Sequence, residues 1–166
     1  MKNGRGFTLV ELLAAITIMG ILLVISVISL RNIQIDARDT ERKTDIENIS
    51  RALETYYTNN QGSYPITGQI TGLDTATATL RGTNADTFRA PGITTGTSFV
   101  PAQNTSATTN VLSPPFAETD YSKYVYQPFA NNGGLCSSSG AECPRYKLIY
   151  RQERDSQLVV VESKNQ

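Results

Sequence analysis

Histidine and tryptophan are absent from this 166-residue sequence, and neither sign of charge predominates. Without histidine, the chain lacks the side chain most often used for acid–base catalysis at neutral pH and a common zinc ligand. The 15 basic residues balance the 15 acidic ones, so composition gives no argument for nucleic-acid binding. No nucleophile motif such as G-x-S-x-G is present. These absences disfavour an enzyme.

Proline is missing from the first 64 residues, since all 7 prolines lie at or beyond Pro65. Between residues 7 and 60 the one glycine is Gly20, so nothing there breaks a helix outright. We predict a single helix of about 54 residues, roughly 81 Å long, that ends at Asn59-Asn60-Gln61-Gly62. Because no small globule can bury that length, the first half of the helix should protrude.

A long apolar run extends from Phe7 to Leu30, and its one charged residue is Glu11. As a helix it would measure about 36 Å, which is enough to cross the hydrocarbon core of a bilayer. Lys2 and Arg5 precede the run. Basic flanks stay cytoplasmic, so the rest of the chain should be exported. A carboxylate in a bilayer costs about 2.5–3.5 kcal/mol at the centre and less near the interface, so Glu11 needs a partner.

A cut between Gly6 and Phe7 would supply that partner, because it creates a new α-amine at Phe7. Phe7 and Glu11 are four residues apart and therefore share one helix face. The amine would also lie at the positive end of the helix dipole, where a nearby acid is stabilising. The two groups could pair within one chain or between two staggered chains, and the second arrangement would couple charge neutralisation to oligomerisation.

The run Gly6-Phe7-Thr8-Leu9-Val10-Glu11 resembles the class III signal of type IV pilins and pseudopilins. The resemblance implies that a membrane-embedded prepilin peptidase cuts after Gly6 and methylates Phe7. It also implies that Glu11 pairs with the Phe7 amine of a neighbouring subunit in a helical filament.

The same resemblance implies a structural subunit without a cofactor. Its partners would be copies of itself, other pilins, prepilin peptidase, and an assembly platform with a cytoplasmic ATPase. The chain would cross the cytoplasmic (inner) membrane once with its head outside. It would then enter a surface filament used for adhesion, motility or DNA uptake.

Two alternatives stay open. One is a pseudopilin of a type II secretion or competence system, which carries the same signal. The other, from a different class, is a signal-anchored exported binding domain or enzyme, which would leave Glu11 unexplained. An ordinary secretory signal is shorter and ends at a small-residue cleavage site, which does not follow this run.

The fold class is predicted to be α+β, with the protruding helix packed through its second half on a small C-terminal antiparallel sheet. We divide the chain into a leader (1–6), a transmembrane and filament-core helix (7–30), an amphipathic second half (31–61) and a globular head (62–166). Apolar residues at three- and four-residue steps, Ile46, Ile49 and Leu53, mark the amphipathic face. The charged stretch 36–43 is interpreted as a solvated face, with pairing between subunits as the alternative.

Three strands are predicted in the head, at Tyr124–Gln127, Tyr146–Arg151 and Gln157–Glu162, and the last two should form a hairpin. The segment 67–114 is rich in Thr, Gly and Asn, so we expect a long variable loop with a short helix near 74–81. Within it, Asn104-Thr105-Ser106 matches a glycosylation triplet but is interpreted as a solvated loop.

Cys136 and Cys143 are predicted to form a disulfide, because thiols of exported chains are oxidised. A metal site would need more ligands than two cysteines supply. Calcium is a minor option, since the acidic loop pattern of calcium-binding pseudopilins is not found among the C-terminal carboxylates Glu118, Asp120, Glu142 and Asp155.

Gly20 supports two interpretations equally. It could mark a place where the helix unwinds in a filament, or it could pack closely against another helix together with Ala14 and Ala15. The resembling pilins that unwind carry a proline where this chain has Ile28.

Overall fold

The computed structural model describes residues 7–165. Its helices are α1 (Leu9–Asn59) and α2 (Leu73–Thr79), and its strands are β1 (Phe99–Pro101), β2 (Tyr124–Phe129), β3 (Arg145–Arg151) and β4 (Leu158–Glu162). The chain divides into two compact units, with the boundary between Ala37 and Arg38. One long helix and one small sheet confirm the predicted α+β class.

Helix α1 is a single element of 51 residues, which confirms the continuous helix predicted from the lack of proline. It ends because Gln61 and Gly62 adopt left-handed φ angles of 57° and 79°. Glycine accepts such a φ without strain because it has no Cβ. The Gly62 N–H donates to the carbonyl of Tyr57 at 3.1 Å, which satisfies one of the last helical carbonyls.

In the second unit, one stripe of α1 packs on one face of the sheet. Ile46, Ile49 and Leu53 are fully buried, as their helical spacing predicted. They share a core with alternating residues of two strands, namely Tyr124, Tyr126, Tyr146, Leu148 and Tyr150. Alternation puts these five side chains on one face of the sheet, so the helix covers that face.

The sheet has the order β1-β2-β3-β4 and is mixed rather than wholly antiparallel. β2 pairs with β3 and β3 pairs with β4 in antiparallel register, which confirms the predicted hairpin. β1 pairs with β2 in parallel register. The prediction missed β1 because three residues that include Pro101 carry no readable alternation.

The opposite face of the sheet is covered by residues 102–116. Ala102, Val111 and Phe116 are buried against Val125 of β2 and Ile149 of β3. This part of the predicted loop is therefore a third layer of the fold, held by a few apolar side chains. The short helix predicted near 74–81 is confirmed as α2.

The charged stretch of α1 does not form a simply solvated face. The side chain of Arg42 is 3% exposed, and its guanidinium lies 2.9 Å from Asp39 and 3.3 Å from Glu153. Arg38 forms a second ion pair with Glu153 at 2.5 Å, and its hydrogen bond lowers the pKa of Glu153. Asp39 accepts the backbone N–H groups of Glu153 and Arg154 at 2.8 and 3.0 Å. These contacts tie the β3–β4 turn to α1.

Cys136 and Cys143 are joined by a disulfide, as predicted, with their Cα atoms 5.9 Å apart. The bridged segment lies against the chain that follows α1. The Tyr64 N–H donates to the carbonyl of Cys143 at 2.9 Å, and the Thr67 N–H donates to that of Cys136 at 3.0 Å. The disulfide therefore fixes the junction between helix and sheet.

Candidate processing and assembly site

The N-terminus of α1 is closed by a reciprocal cap between Thr8 and Glu11. Oε2 of Glu11 accepts the Thr8 backbone N–H at 2.9 Å and the Thr8 hydroxyl at 2.8 Å. In return, the Glu11 N–H donates to the Thr8 hydroxyl oxygen at 3.3 Å. This is a capping box, in which two otherwise unpaired N–H groups of the first turn are satisfied.

The cap leaves the charge of Glu11 available. Both donors of Thr8 are neutral and both bind Oε2, and no donor among the described residues binds Oε1. A cation that approached Oε1 could therefore pair with the carboxylate without displacing the cap. Sequence reasoning missed Thr8, although Thr8-Leu9-Val10-Glu11 follows the capping-box pattern S/T-x-x-E.

The large apolar side chains between residues 7 and 27 are exposed on every side of the chain. Their exposed fractions run from 50% at Val27 to 87% at Phe7. A helix that is apolar all round requires an apolar environment, either lipid or other helices. Among the described residues, α1 is the one helix long and apolar enough to cross a membrane. This helix fits a membrane-anchored protein.

Gly6 and the residues before it lie outside the described residues. The predicted cut between Gly6 and Phe7, the methylation of Phe7 and the pairing of Glu11 with a neighbour therefore stay predictions.

The described helix is continuous through Gly20. A Cβ added at Gly20 would meet no atom within 4 Å, so no contact in the single chain requires a glycine there. The two interpretations of Gly20 concern neighbouring helices, and both stay predictions.

Residues 7–165 contain no group of three or more His, Cys, Asp or Glu side chains that could hold a metal ion. The acidic residues considered for calcium, Glu118, Asp120, Glu142 and Asp155, form no such group.

Residues 1–27 match the family described as the prokaryotic N-terminal methylation motif. No curated protein and no solved structure matches the chain. The matched segment covers the basic leader, the Gly6-Phe7 junction, Glu11 and most of the apolar run. The N-terminal segment of this chain is therefore a class III signal of the kind that type IV pilins and pseudopilins carry.

Proposed function

We propose that this chain is a structural subunit of a type IV pilus-like filament. Prepilin peptidase cuts it between Gly6 and Phe7 and methylates the new N-terminus. Residues 7–30 hold the mature chain in the cytoplasmic membrane until an assembly platform and its ATPase add it to the filament. The head lies outside the membrane throughout, and copies of the chain and other pilins are its partners.

One observation carries this proposal. The methylation motif at residues 1–27 includes most of an exposed apolar helical segment whose single acid, Glu11, lies in the first turn of α1. An ordinary anchor requires the apolar run but not the acid. A filament subunit uses both, since the same helix leaves lipid for a bundle of neighbouring helices and the acid can pair with an amine there.

The geometry of the cap supports a stepwise role for Glu11. In a single chain, Thr8 satisfies Oε2, which lowers the cost of holding a carboxylate near the membrane interface. In the filament, the Phe7 amine of a neighbour would approach Oε1. Assembly would then give Glu11 a cationic partner, which the neutral donors of Thr8 cannot provide.

Glu11→Ala tests the pairing. The substitution removes a charge from the apolar segment, so the membrane-bound amount should be unchanged or slightly higher. In the filament, the Phe7 amine would lack its acid, and an unpaired buried charge costs several kcal/mol. We expect the yield of sheared filaments to fall at least about tenfold relative to the membrane pool. Glu41→Ala, which removes an exposed acid from the same helix, should assemble normally.

Thr8→Val separates pairing from capping. It removes the hydroxyl but leaves Glu11, and loss of a capping side chain costs only about 1 kcal/mol. The Thr8→Val chain should still form filaments. Normal filament yield from Glu11→Ala, or an equal loss from Thr8→Val, would mean that Glu11 acts as a cap and not as the partner of the amine.

A further inference from the structure

A polar groove runs along α1 beside the stripe that packs on the sheet. Its α1 side is formed by Asn48, Arg51, Ala52, Thr55, Tyr56 and Asn59. These positions recur at three- and four-residue steps, so they share one face of the helix over about 17 Å. The opposite wall is the end of α2 and the loop after it, residues 78–84.

The groove consists of two neighbouring cavities of about 350 and 480 Å³. Ala52, Thr55 and Arg81 line both of them. A ligand in this groove would therefore be extended rather than compact.

The charge of the groove lining is positive. Arg51 and Arg81 are the charged residues of its lining, and no carboxylate of the described chain lines it. Arg51 is 74% exposed and touches Glu47 only at 4.0 Å, while Arg81 is exposed and has no ion pair with a described residue. By contrast, Arg42 of the same helix is buried and committed to two carboxylates.

The rest of the lining is rich in side-chain amides and hydroxyls. Asn48 of α1 lines one cavity together with Thr83 and Asn84 of the loop, and Asn59 and Asn60 line the other. An amide offers both donors and an acceptor, which matches the hydroxyl groups of a sugar. Two planar guanidinium groups suit carboxylates, which they bind through paired hydrogen bonds.

We propose that this groove binds an acidic polysaccharide, a chain of sugars that carries carboxylates at intervals. Arg51 and Arg81 would bind two carboxylates, and the amides would bind hydroxyls between them. A nucleic acid is disfavoured, because its affinity depends on many phosphate contacts and this groove offers two cations. The proposal does not depend on filament assembly.

Calorimetry on the full chain in detergent micelles tests the proposal, with hexagalacturonic acid as the probe. Its fully methyl-esterified form is the matched probe without charge. We expect binding of the acid but not of the ester. Arg51→Gln and Arg81→Gln should each weaken the binding roughly tenfold, the equivalent of one charge-assisted contact. Arg145→Gln, which changes an exposed arginine of β3 outside the groove, should leave the affinity unchanged.

Several results would overturn the proposal. These are no binding of the acid, equal binding of the ester, or an equal loss of affinity in Arg145→Gln. Tighter, Arg51- and Arg81-dependent binding of a single-stranded oligothymidylate would assign the groove to nucleic acid instead. Because both substituted arginines are exposed, unchanged circular dichroism of the variants would show that a loss of binding is local.

Discussion

At the scale of single residues, two carboxylates of α1 accept hydrogen bonds from tyrosine hydroxyls. Glu54 accepts the hydroxyls of Tyr64 and Tyr146 at 2.9 and 3.1 Å. Asp45 accepts the hydroxyl of Tyr124 at 2.8 Å. Burial raises the pKa of Asp45 to about 6, and the hydrogen bond only partly opposes this. The ionised form of Asp45 is therefore disfavoured in the fold.

Asp45→Asn should remove a pH dependence of stability. Because the folded pKa of Asp45 lies above its usual 3.8, its contribution to stability is greatest below about pH 4 and is lost as pH rises through 6. Nearby Glu41 raises this pKa further. The amide introduced by the substitution would still accept from Tyr124, so the variant should be more stable than the parent at pH 7.5. We expect about 1 kcal/mol, discounted because Asp45 is only half-buried.

Urea unfolding of the full chain in detergent, at pH 7.5 and pH 4, measures this difference. At pH 4, where the folded carboxyl is protonated, most of the gain should be lost. The exposed acid Glu118 provides the control, and Glu118→Gln should show no gain at either pH. A constant gain for Asp45→Asn at both pH values would show that ionisation of Asp45 is not the cause.

At the scale of elements, α1 meets different surroundings along its length. Its first part is apolar and exposed, and its middle carries the ion pairs of Arg38 and Arg42. Its last part buries one face against the sheet and lines the polar groove with a neighbouring face. The ion pairs hold the β3–β4 turn, which lies more than 100 residues away in sequence. The helix thus organises the sheet through its middle and last parts.

Arg42→Met should destabilise the second unit strongly. The substitution leaves Asp39 without its cation and Glu153 with Arg38 alone, and breaking a buried ion pair costs about 3 kcal/mol or more. Arg51→Met is the matched control on the same helix, because it breaks the exposed ion pair of Arg51 with Glu47. It should lower the free energy of unfolding by about 0.5 kcal/mol or less. The free energy of unfolding in urea measures both. Equal effects of the two substitutions would mean that the Arg42 pairs do not hold the turn.

Much of α1 and the β3–β4 hairpin could be predicted from the sequence, because their signals are local. A proline-free run, residues at helical steps and two apolar strands around a polar turn each specify an element within a short window. β1 and the layer at 102–116 could not be predicted, since they depend on pairing with strands far along the chain. The Thr8 cap also has a local signal, its three-residue spacing to Glu11. The prediction missed it because the same residues carry the stronger signal of the class III motif.

At the scale of the whole molecule, the two units require different surroundings. The first unit needs an apolar environment, because its large apolar side chains between residues 7 and 27 are exposed. The second unit has its own core on both faces of the sheet and a disulfide. The polar groove also depends on tertiary packing, since it exists only because the loop 78–84 lies beside α1. The proposed export and filament assembly would meet both requirements, because the apolar helix would be buried in membrane or filament.

The most direct test of this account is the intact mass and N-terminal peptide of the native chain, purified from membranes and from sheared surface filaments. We predict that both pools begin at Phe7 and carry one methyl group on its amine. The filament pool should contain this chain as a polymerised subunit. A chain that still begins with residues 1–6, or one that is cut after Leu30, would contradict the account.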